Sequence, residues 1–129
     1  MDSDNDFEVV HVKDYLMIGE LKLSDGDHRA AGDFYERALF QLRLVGNPPS
    51  QVNLISVLYK YARNLSAQGR VEEAIQHLQG LWEEKVRNET DRIVKLHSSL
   101  YLAELLLSQN DFAAATDACT RCAKAYFKT

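Results

Sequence analysis

Two residue pairs in the sequence have spacings that could support metal or redox chemistry. Cys119 and Cys122 form a C-x-x-C pattern, the spacing of many zinc and disulfide-exchange sites. Glu73 and His77 lie four residues apart and would share one face of a helix, where they could hold a metal ion. Neither pair has the further ligands that a zinc site needs, and the cysteines lack the strand-to-helix context of a redox motif. We therefore expect two core thiols, a surface ion pair, and no metal or cofactor.

The remaining polar residues show no pattern typical of catalysis. His11, His28 and His97 have no cluster of cysteines or carboxylates at ligand spacing. Neighbouring carboxylates such as Glu72 and Glu73 would diverge around a helix axis instead of converging on a substrate. Serine nucleophile elbows, phosphate-binding Walker loops and dinucleotide-binding glycine patterns are all absent from the sequence. The sequence predicts a protein that is not an enzyme.

Composition and charge narrow the possible classes of protein. The 129 residues are 46% hydrophobic and 26% charged, which suits one folded, soluble domain. The net charge of -4 repels phosphate backbones, and no apolar run approaches the roughly 20 residues that span a bilayer. The acidic N-terminus is unlike the basic start of a targeting peptide. A disulfide between two cysteines only three residues apart could not stabilise a fold of this size, so cysteine use agrees with a reducing compartment. We expect a protein of the cytosol or nucleus with no nucleic-acid or membrane partner.

The sequence contains three stretches of 22 residues that align without a gap, at 18–39, 61–82 and 102–123. Near the middle of each lies a residue of the types that most readily adopt the left-handed conformation ending a helix: Gly26, Gly69 and Asn110. Small residues on either side of this turn would let two helices approach closely: Gly19, Ala62 and Ala103 before it, and Ala31, Ala74 and Ala115 after it. The repeat unit is therefore predicted to be a helix hairpin.

These patterns predict six helices, at about 7–24, 27–45, 51–67, 71–87, 91–108 and 112–126. The candidate N-cap residues are Asp6, Asp27, Ser50, Thr90 and Asp111. The predicted fold class is all-α, with three stacked helix-turn-helix hairpins forming a right-handed solenoid. An acidic tail over 1–6 would precede a single domain over 7–129, with repeats at about 7–46, 50–88 and 90–127.

Tandem helix pairs with small residues around a Gly or Asn turn resemble the tetratricopeptide repeat family over residues 12–127. The turns are 43 and 41 residues apart, longer than the about 34 of the usual repeat, so the chain is similar to the extended repeats of kinesin light chains. The alternative group that the repeats resemble is the tetratricopeptide subunits of the anaphase-promoting complex. The resemblance implies a protein-binding solenoid. Chaperone-binding members clamp a carboxylate with lysines, asparagines and an arginine, but the matching positions here hold other residues: Leu16, Glu20, Lys60, His97 and Tyr101.

The first helices of such a solenoid line its concave side, which is the expected partner-binding groove. The repeat offset places twelve residues there in four rows, including Met17, Ser56 and Leu100. The other nine are the candidate binding residues: Lys13, Leu16, Glu20, Tyr59, Lys60, Arg63, His97, Tyr101 and Glu104. The tyrosines offer large contact area with a polar tip, and the cations offer charge. No acidic residue lies between Glu36 and Glu72, whereas five basic residues lie within or beside that interval: Arg37, Arg43, Lys60, Arg63 and Arg70. We expect a partner segment with an acidic residue; a solvated helix face is the alternative.

The third hairpin is the most apolar, and no polar capping helix follows it in the sequence. We expect part of its surface to be covered by self-association, by a partner chain or by a continuation of the chain; the alternative is a self-sufficient end exposing mostly alanine. The residues assigned to this oligomer or capping surface are Leu106, Phe112, Tyr126 and Phe127.

The leading interpretation is a non-catalytic protein-interaction module, an adaptor or subunit of a larger assembly that binds a partner segment in its groove. The second interpretation is a homo-oligomerisation domain that uses the third hairpin. Fold alone does not decide between them.

Overall fold

Six α-helices account for most of the residues that the structure describes. The structure, a computed structural model, describes residues 2–45 and 53–127, with side chains for 12–44 and 53–125. The helices are α1 (Asp2–Ser24), α2 (His28–Val45), α3 (Leu54–Ala67), α4 (Val71–Trp82), α5 (Glu89–Ser108) and α6 (Phe112–Phe127). Within these described ranges there is no strand, so the predicted all-α class is confirmed.

The helices pair as three hairpins, α1 with α2, α3 with α4, and α5 with α6. Consecutive hairpins then stack, because α3 packs against α2, α5 packs against α4, and the first helices α3 and α5 touch each other. Each hairpin can bury only one face within itself, so the stack creates a shared core. The predicted solenoid of helical hairpins is confirmed.

The three predicted turns have the left-handed backbone that the sequence indicated. The φ angles are 80° at Gly26, 82° at Gly69 and 61° at Asn110. After each turn, the backbone N–H three residues beyond the helix end bonds back to a carbonyl in the last helical turn, as Arg70 N does to Leu65 O at 2.9 Å. The chain therefore reverses direction within three residues, which sets each pair of helices side by side.

The small residues around each turn lie where the helices cross. Ala31, Ala62 and Ala74 are fully inaccessible, and Ala103 and Ala115 are also buried. At Gly19 an added Cβ would lie 3.1 Å from the Tyr35 ring, so no larger residue fits without a shift. The close helix crossings that the sequence predicted are confirmed.

A polar cluster joins the first hairpin to the second. Asn64, only 3% exposed, donates from Nδ2 to the His28 carbonyl at 2.7 Å, and Gln68 Nε2 donates to Asn64 Oδ1 at 2.7 Å. Both amides lie directly over Gly32, where an added Cβ would be 2.5 Å from Asn64 Oδ1. Because buried polar groups are costly without partners, this cluster favours one stacking position of α3 on α2.

Several helix ends differ from the prediction. Asp27 and Asp111 cap α2 and α6 as expected, accepting from Ala30 N and Ala114 N. Asn88, rather than Thr90, caps α5, because its side chain accepts from Asp91 N at 2.8 Å.

The predicted cap at Asp6 is wrong because α1 already begins at Asp2, so the expected acidic tail continues that helix. The predicted cap at Ser50 lies outside the described residues, and Asn53 caps α3.

The α4 helix ends at Trp82, five residues before the predicted end. Side chains from α5 take the place of helical hydrogen bonds in the segment that follows. Lys95 Nζ donates to the Glu84 carbonyl at 3.0 Å, and Arg87 N donates to Asp91 Oδ2 at 2.9 Å. The connection between α4 and α5 is therefore held by side-chain contacts from α5, which helical periodicity does not reveal.

Candidate partner-binding surface

The predicted groove residues lie on the first helices α1, α3 and α5 of the three hairpins, and we call this set the first-helix surface. It comprises Lys13, Leu16, Glu20, Tyr59, Lys60, Arg63, His97, Tyr101 and Glu104. Two contacts tie the helices together across it. Lys60 Nζ lies 2.7 Å from Glu20 Oε1, and the Tyr59 and Tyr101 rings meet edge to face with centroids 6.1 Å apart.

A cluster of Tyr59, Arg63 and Tyr101 lies where α3 meets α5. The Arg63 guanidinium carbon is 5.7 Å from the Tyr59 ring centroid and 5.5 Å from that of Tyr101. Its Nη1 donates to the Tyr59 hydroxyl at 3.4 Å. The tyrosines are half-buried against the core, whereas Arg63 is exposed and has no carboxylate partner among the described side chains. The cluster therefore offers a positioned guanidinium whose remaining N–H groups can bind an anion.

The other predicted groove residues are not part of this cluster. Lys13, His97 and Glu104 are exposed and make no hydrogen bond, ion pair or ring contact with the part of the chain that the structure describes. Leu16 is half-buried and packs against the core. The structure thus brings together five of the nine predicted residues, in two contacts: the pair Glu20–Lys60 and the tyrosine–arginine cluster.

The predicted basic band is interrupted by acidic side chains from neighbouring segments. Lys60 pairs with Glu20 of the preceding hairpin. Arg70 makes a two-point contact with Glu73, at 3.0 and 2.6 Å, which holds the pKa of that carboxyl below its usual value. The sequence interval contains no acid, but folding brings acids to it from both sides. Among the described side chains, the groove cations Lys13 and Arg63 have no carboxylate partner, and of these two it is Arg63 that neighbouring rings hold in place.

The predicted ion pair of Glu73 with His77 is wrong, because Glu73 binds Arg70 instead. The His77 ring packs edge to face on Tyr61, with centroids 5.0 Å apart. Burial, and secondarily the positive charge of Arg43, lowers the pKa of His77. Tyr61 donates to Glu36 Oε2 at 3.3 Å, and burial raises the pKa of Tyr61 to about 12.

The two cysteines have different surroundings. Cys122 is buried and its Sγ lies 3.9 Å from the Leu96 carbonyl; burial, with a smaller effect of Cys119, raises the pKa of this thiol. Cys119 is exposed, so its predicted core position is wrong. The buried side of α6 is formed by Ala115, Ala118 and Cys122. Cys119 occupies the position of α6 that is equivalent to Leu78 of α4, which α5 covers, and in α6 it lines an open cleft. No group of three possible metal ligands occurs among the described residues.

The third hairpin exposes some of its predicted apolar surface and buries the rest. Phe112 is 62% exposed, whereas Leu106 is only 5% exposed. The assignment of Leu106 to an open surface is wrong, because this side chain points between α4 and α6 and lines a cleft with Leu78 and Ala118. The side chains of Tyr126 and Phe127 lie outside the described set, although both residues belong to α6.

Sequence reasoning missed the aromatic–cation contact between Lys95 and Trp82. The Lys95 ammonium lies 4.9 Å from the Trp82 ring centroid, at a cavity of about 530 Å³ between α4, α5 and α6. Because Lys95 also donates to the Glu84 carbonyl, its contact holds the α4–α5 connection in place. The only signal in the sequence was the single tryptophan, which pattern analysis does not pair with a lysine 13 residues away.

Comparison with known families agrees with this architecture. The family model described as Tetratricopeptide repeat matches residues 56–84, which run from the first turn of α3 past the end of α4. No curated protein matches the chain. No helix within the described ranges is both long and apolar enough to span a membrane. The fold and this match define a helical-hairpin solenoid whose second hairpin is similar to a tetratricopeptide repeat, a unit that typically serves protein–protein interaction and not catalysis.

Proposed function

We propose that this chain is a protein-interaction module that binds an acidic partner segment on the first-helix surface. The observation that carries the proposal is the position of Arg63 over the rings of both Tyr59 and Tyr101, at 5.7 and 5.5 Å. Aromatic residues and arginine dominate the binding energy of protein interfaces, because they give large contact area and directional hydrogen bonds.

The acid recognition is assigned to Arg63 and not to Lys60. Lys60 already pairs with Glu20 at 2.7 Å, so its charge is compensated before any partner arrives. Arg63 is held by two rings and one weak hydrogen bond, which leaves a planar fork of donors for a carboxylate. A carboxylate of the partner would bind there, while apolar parts of the partner pack on the tyrosine rings.

The finer features of the proposal are an adaptor or assembly-subunit role, a location in the cytosol or nucleus, and long repeats like those of kinesin light chains. The left-handed turn residues at 26, 69 and 110 support the long repeat. Two cysteines only three residues apart cannot cross-link the fold, which supports a reducing compartment, and the net charge of -4 supports a protein partner over a nucleic acid. Neither enzymatic activity nor a cofactor is part of the proposal.

The experiment is a selection of binding peptides from a random display library, followed by affinity measurement on purified wild-type chain. We expect the selected peptides to share an acidic residue. Arg63→Glu should weaken their binding by about 2 kcal/mol, roughly thirtyfold, because it replaces the anion-binding group with a repelling one.

A matched control is Arg37→Glu. Arg37 also lies over an aromatic ring, at 5.0 Å from the Phe34 centroid, but on α2 and away from the first-helix surface. This variant should bind the peptides like the wild type. Peptides without an acidic residue, or equal losses for the two variants, would overturn the proposal.

A second candidate function, homo-oligomerisation through the third hairpin, is favoured by the exposure of Phe112 and Cys119. It uses a different surface and leaves the tyrosine–arginine cluster free.

A further inference from the structure

The first and third hairpins expose apolar side chains at positions that, at the internal junctions of the stack, contact a neighbouring hairpin. On α4, Leu78 is 2% exposed because it lies beside Ser99 and Leu102 of the incoming helix α5. The repeat offset of 41 residues places Cys119 at the same position of α6, and there it is exposed. A cleft of about 420 Å³ runs along this side of α6, lined by Leu107, Ala115, Thr116, Cys119, Thr120 and Ala123.

At each internal junction, the first helix of the following hairpin supplies the other contact face. Lys60 of α3 contacts Glu20 of the preceding hairpin, and Tyr101 at the equivalent position of α5 contacts Tyr59 of its preceding hairpin. The equivalent position of α1 is Met17, which is 63% exposed.

The positions four residues later on the first helices show the same relation. Asn64 of α3 contacts the preceding hairpin through His28, and Leu105 at the equivalent position of α5 is buried. The equivalent position of α1 is Leu21, which is 60% exposed. Met17 and Leu21 therefore form an apolar pair one helical turn apart, at the two positions by which hairpins contact their predecessors.

We infer that a second copy of this chain stacks its α1 on the α6 of the first copy and repeats the internal junction from head to tail. The first-hairpin face, Met17 and Leu21, would cover the third-hairpin face, which comprises Phe112, Thr116, Cys119 and Ala123. One chain supplies both faces, so the contact is heterologous and adds copies in a row.

The register of the repeat favours a copy of this chain as the occupant. Phe112, Thr116 and Cys119 of α6 correspond to Val71, Ile75 and Leu78 of α4, which are half-buried or buried within the stack. Met17 and Leu21 of α1 have the register of the α3 and α5 residues that contact a preceding hairpin. A second copy therefore supplies the helix that this side of α6 lacks.

The exposed apolar residue Phe40 does not fit this pattern. Phe40 of α2 is as exposed as Met17, but its equivalents in the second and third hairpins are Glu83 and Lys124, which are exposed and polar. This position is therefore solvent-facing throughout the repeat, and Phe40 serves as a control for apolar exposure without a junction role.

The test is sedimentation velocity under reducing conditions, from micromolar to near-millimolar concentration, on wild-type chain and single-face variants. Leu21→Glu blocks the first-hairpin face and Cys119→Glu blocks the third-hairpin face. Both side chains are exposed, so far-ultraviolet circular dichroism should show unchanged helix content. Phe40→Glu is the matched control.

We expect the average mass of the wild type and of Phe40→Glu to rise with concentration past two chains. Leu21→Glu and Cys119→Glu should each remain at the mass of one chain. An equimolar mixture of the two should stop at two chains, because one intact first-hairpin face meets one intact third-hairpin face. A wild type that stays at one chain, a blocked variant that still associates, or a mixture that does not dimerise would overturn the inference. Peptide binding by Arg63 is unaffected by any of these outcomes.

Discussion

Replacement of Gly32 by alanine tests the polar cluster that joins the first two hairpins. Alanine is ordinarily the better helix former, by about 1 kcal/mol. At this position, however, the added Cβ would lie 2.5 Å from Asn64 Oδ1 and 2.6 Å from Gln68 Nε2. Both amides would have to move, and the hydrogen bond from Asn64 to the His28 carbonyl at 2.7 Å would be lost.

The magnitude follows from these opposing effects. A buried amide that loses its partner costs about 1–3 kcal/mol, and crowding a packed site costs about as much again. After the gain in helix propensity, we expect Gly32→Ala to lower the free energy of unfolding by about 2 kcal/mol. For a chain of this length that loss corresponds to a melting temperature lower by about 7 °C.

The assay is thermal and urea unfolding followed by circular dichroism, with Gly80→Ala as the matched control. Nothing lies within 4 Å of a Cβ added at Gly80, so that substitution should raise stability by about 0.5–1 kcal/mol. Adding Gln68→Ala to Gly32→Ala should recover part of the loss, because it removes one of the two crowded groups. If Gly32→Ala stabilises the fold as Gly80→Ala does, the description of the junction is refuted.

Three further predictions concern single side chains. Burial holds the pKa of His77 below its usual value of about 6.5, so protonation of this side chain opposes folding as the pH falls through that range. His77→Gln should therefore lose less unfolding free energy than the wild type between about pH 7.5 and 5.5, and equal losses would contradict this. The buried Tyr35 hydroxyl has no hydrogen-bond partner among the described residues, so Tyr35→Phe should leave stability unchanged or raise it by up to about 1 kcal/mol in urea unfolding; a clear loss would be inconsistent. Asn88→Ala should cost about 1 kcal/mol in the same assay and Thr90→Ala almost nothing, and the reverse order would restore Thr90 as the cap.

The hairpin stack could be predicted from the sequence because its determinants are local and repeated. Gly26, Gly69 and Asn110 mark the turns by residue type alone, since few residues adopt a positive φ. The alanines beside them are spaced so that they face the crossing helix. Three copies of the same pattern made the architecture evident without any knowledge of long-range contacts.

The parts that could not be predicted depend on contacts between hairpins. The pairing of Lys60 with Glu20 joins residues 40 positions apart, and it removes a charge that sequence reasoning had assigned to the partner. Leu106 and Cys119 were placed from helical periodicity, which identifies an apolar side of a helix but not which part of that side a neighbour covers. Asn88 was missed as a cap because Thr90 satisfies the same local rule.

Tyr59, Arg63 and Tyr101 are the proposed anchor of the partner-binding surface. Heteronuclear NMR of the chain, titrated with an acidic peptide selected for binding, tests this assignment. We expect saturable shifts of the Arg63 Nε–Hε signal and of α3 and α5 amides around the cluster, with the Arg37 signal unchanged. Shifts centred on Arg37 or on α6, with an unchanged Arg63 signal, would rule out this anchor.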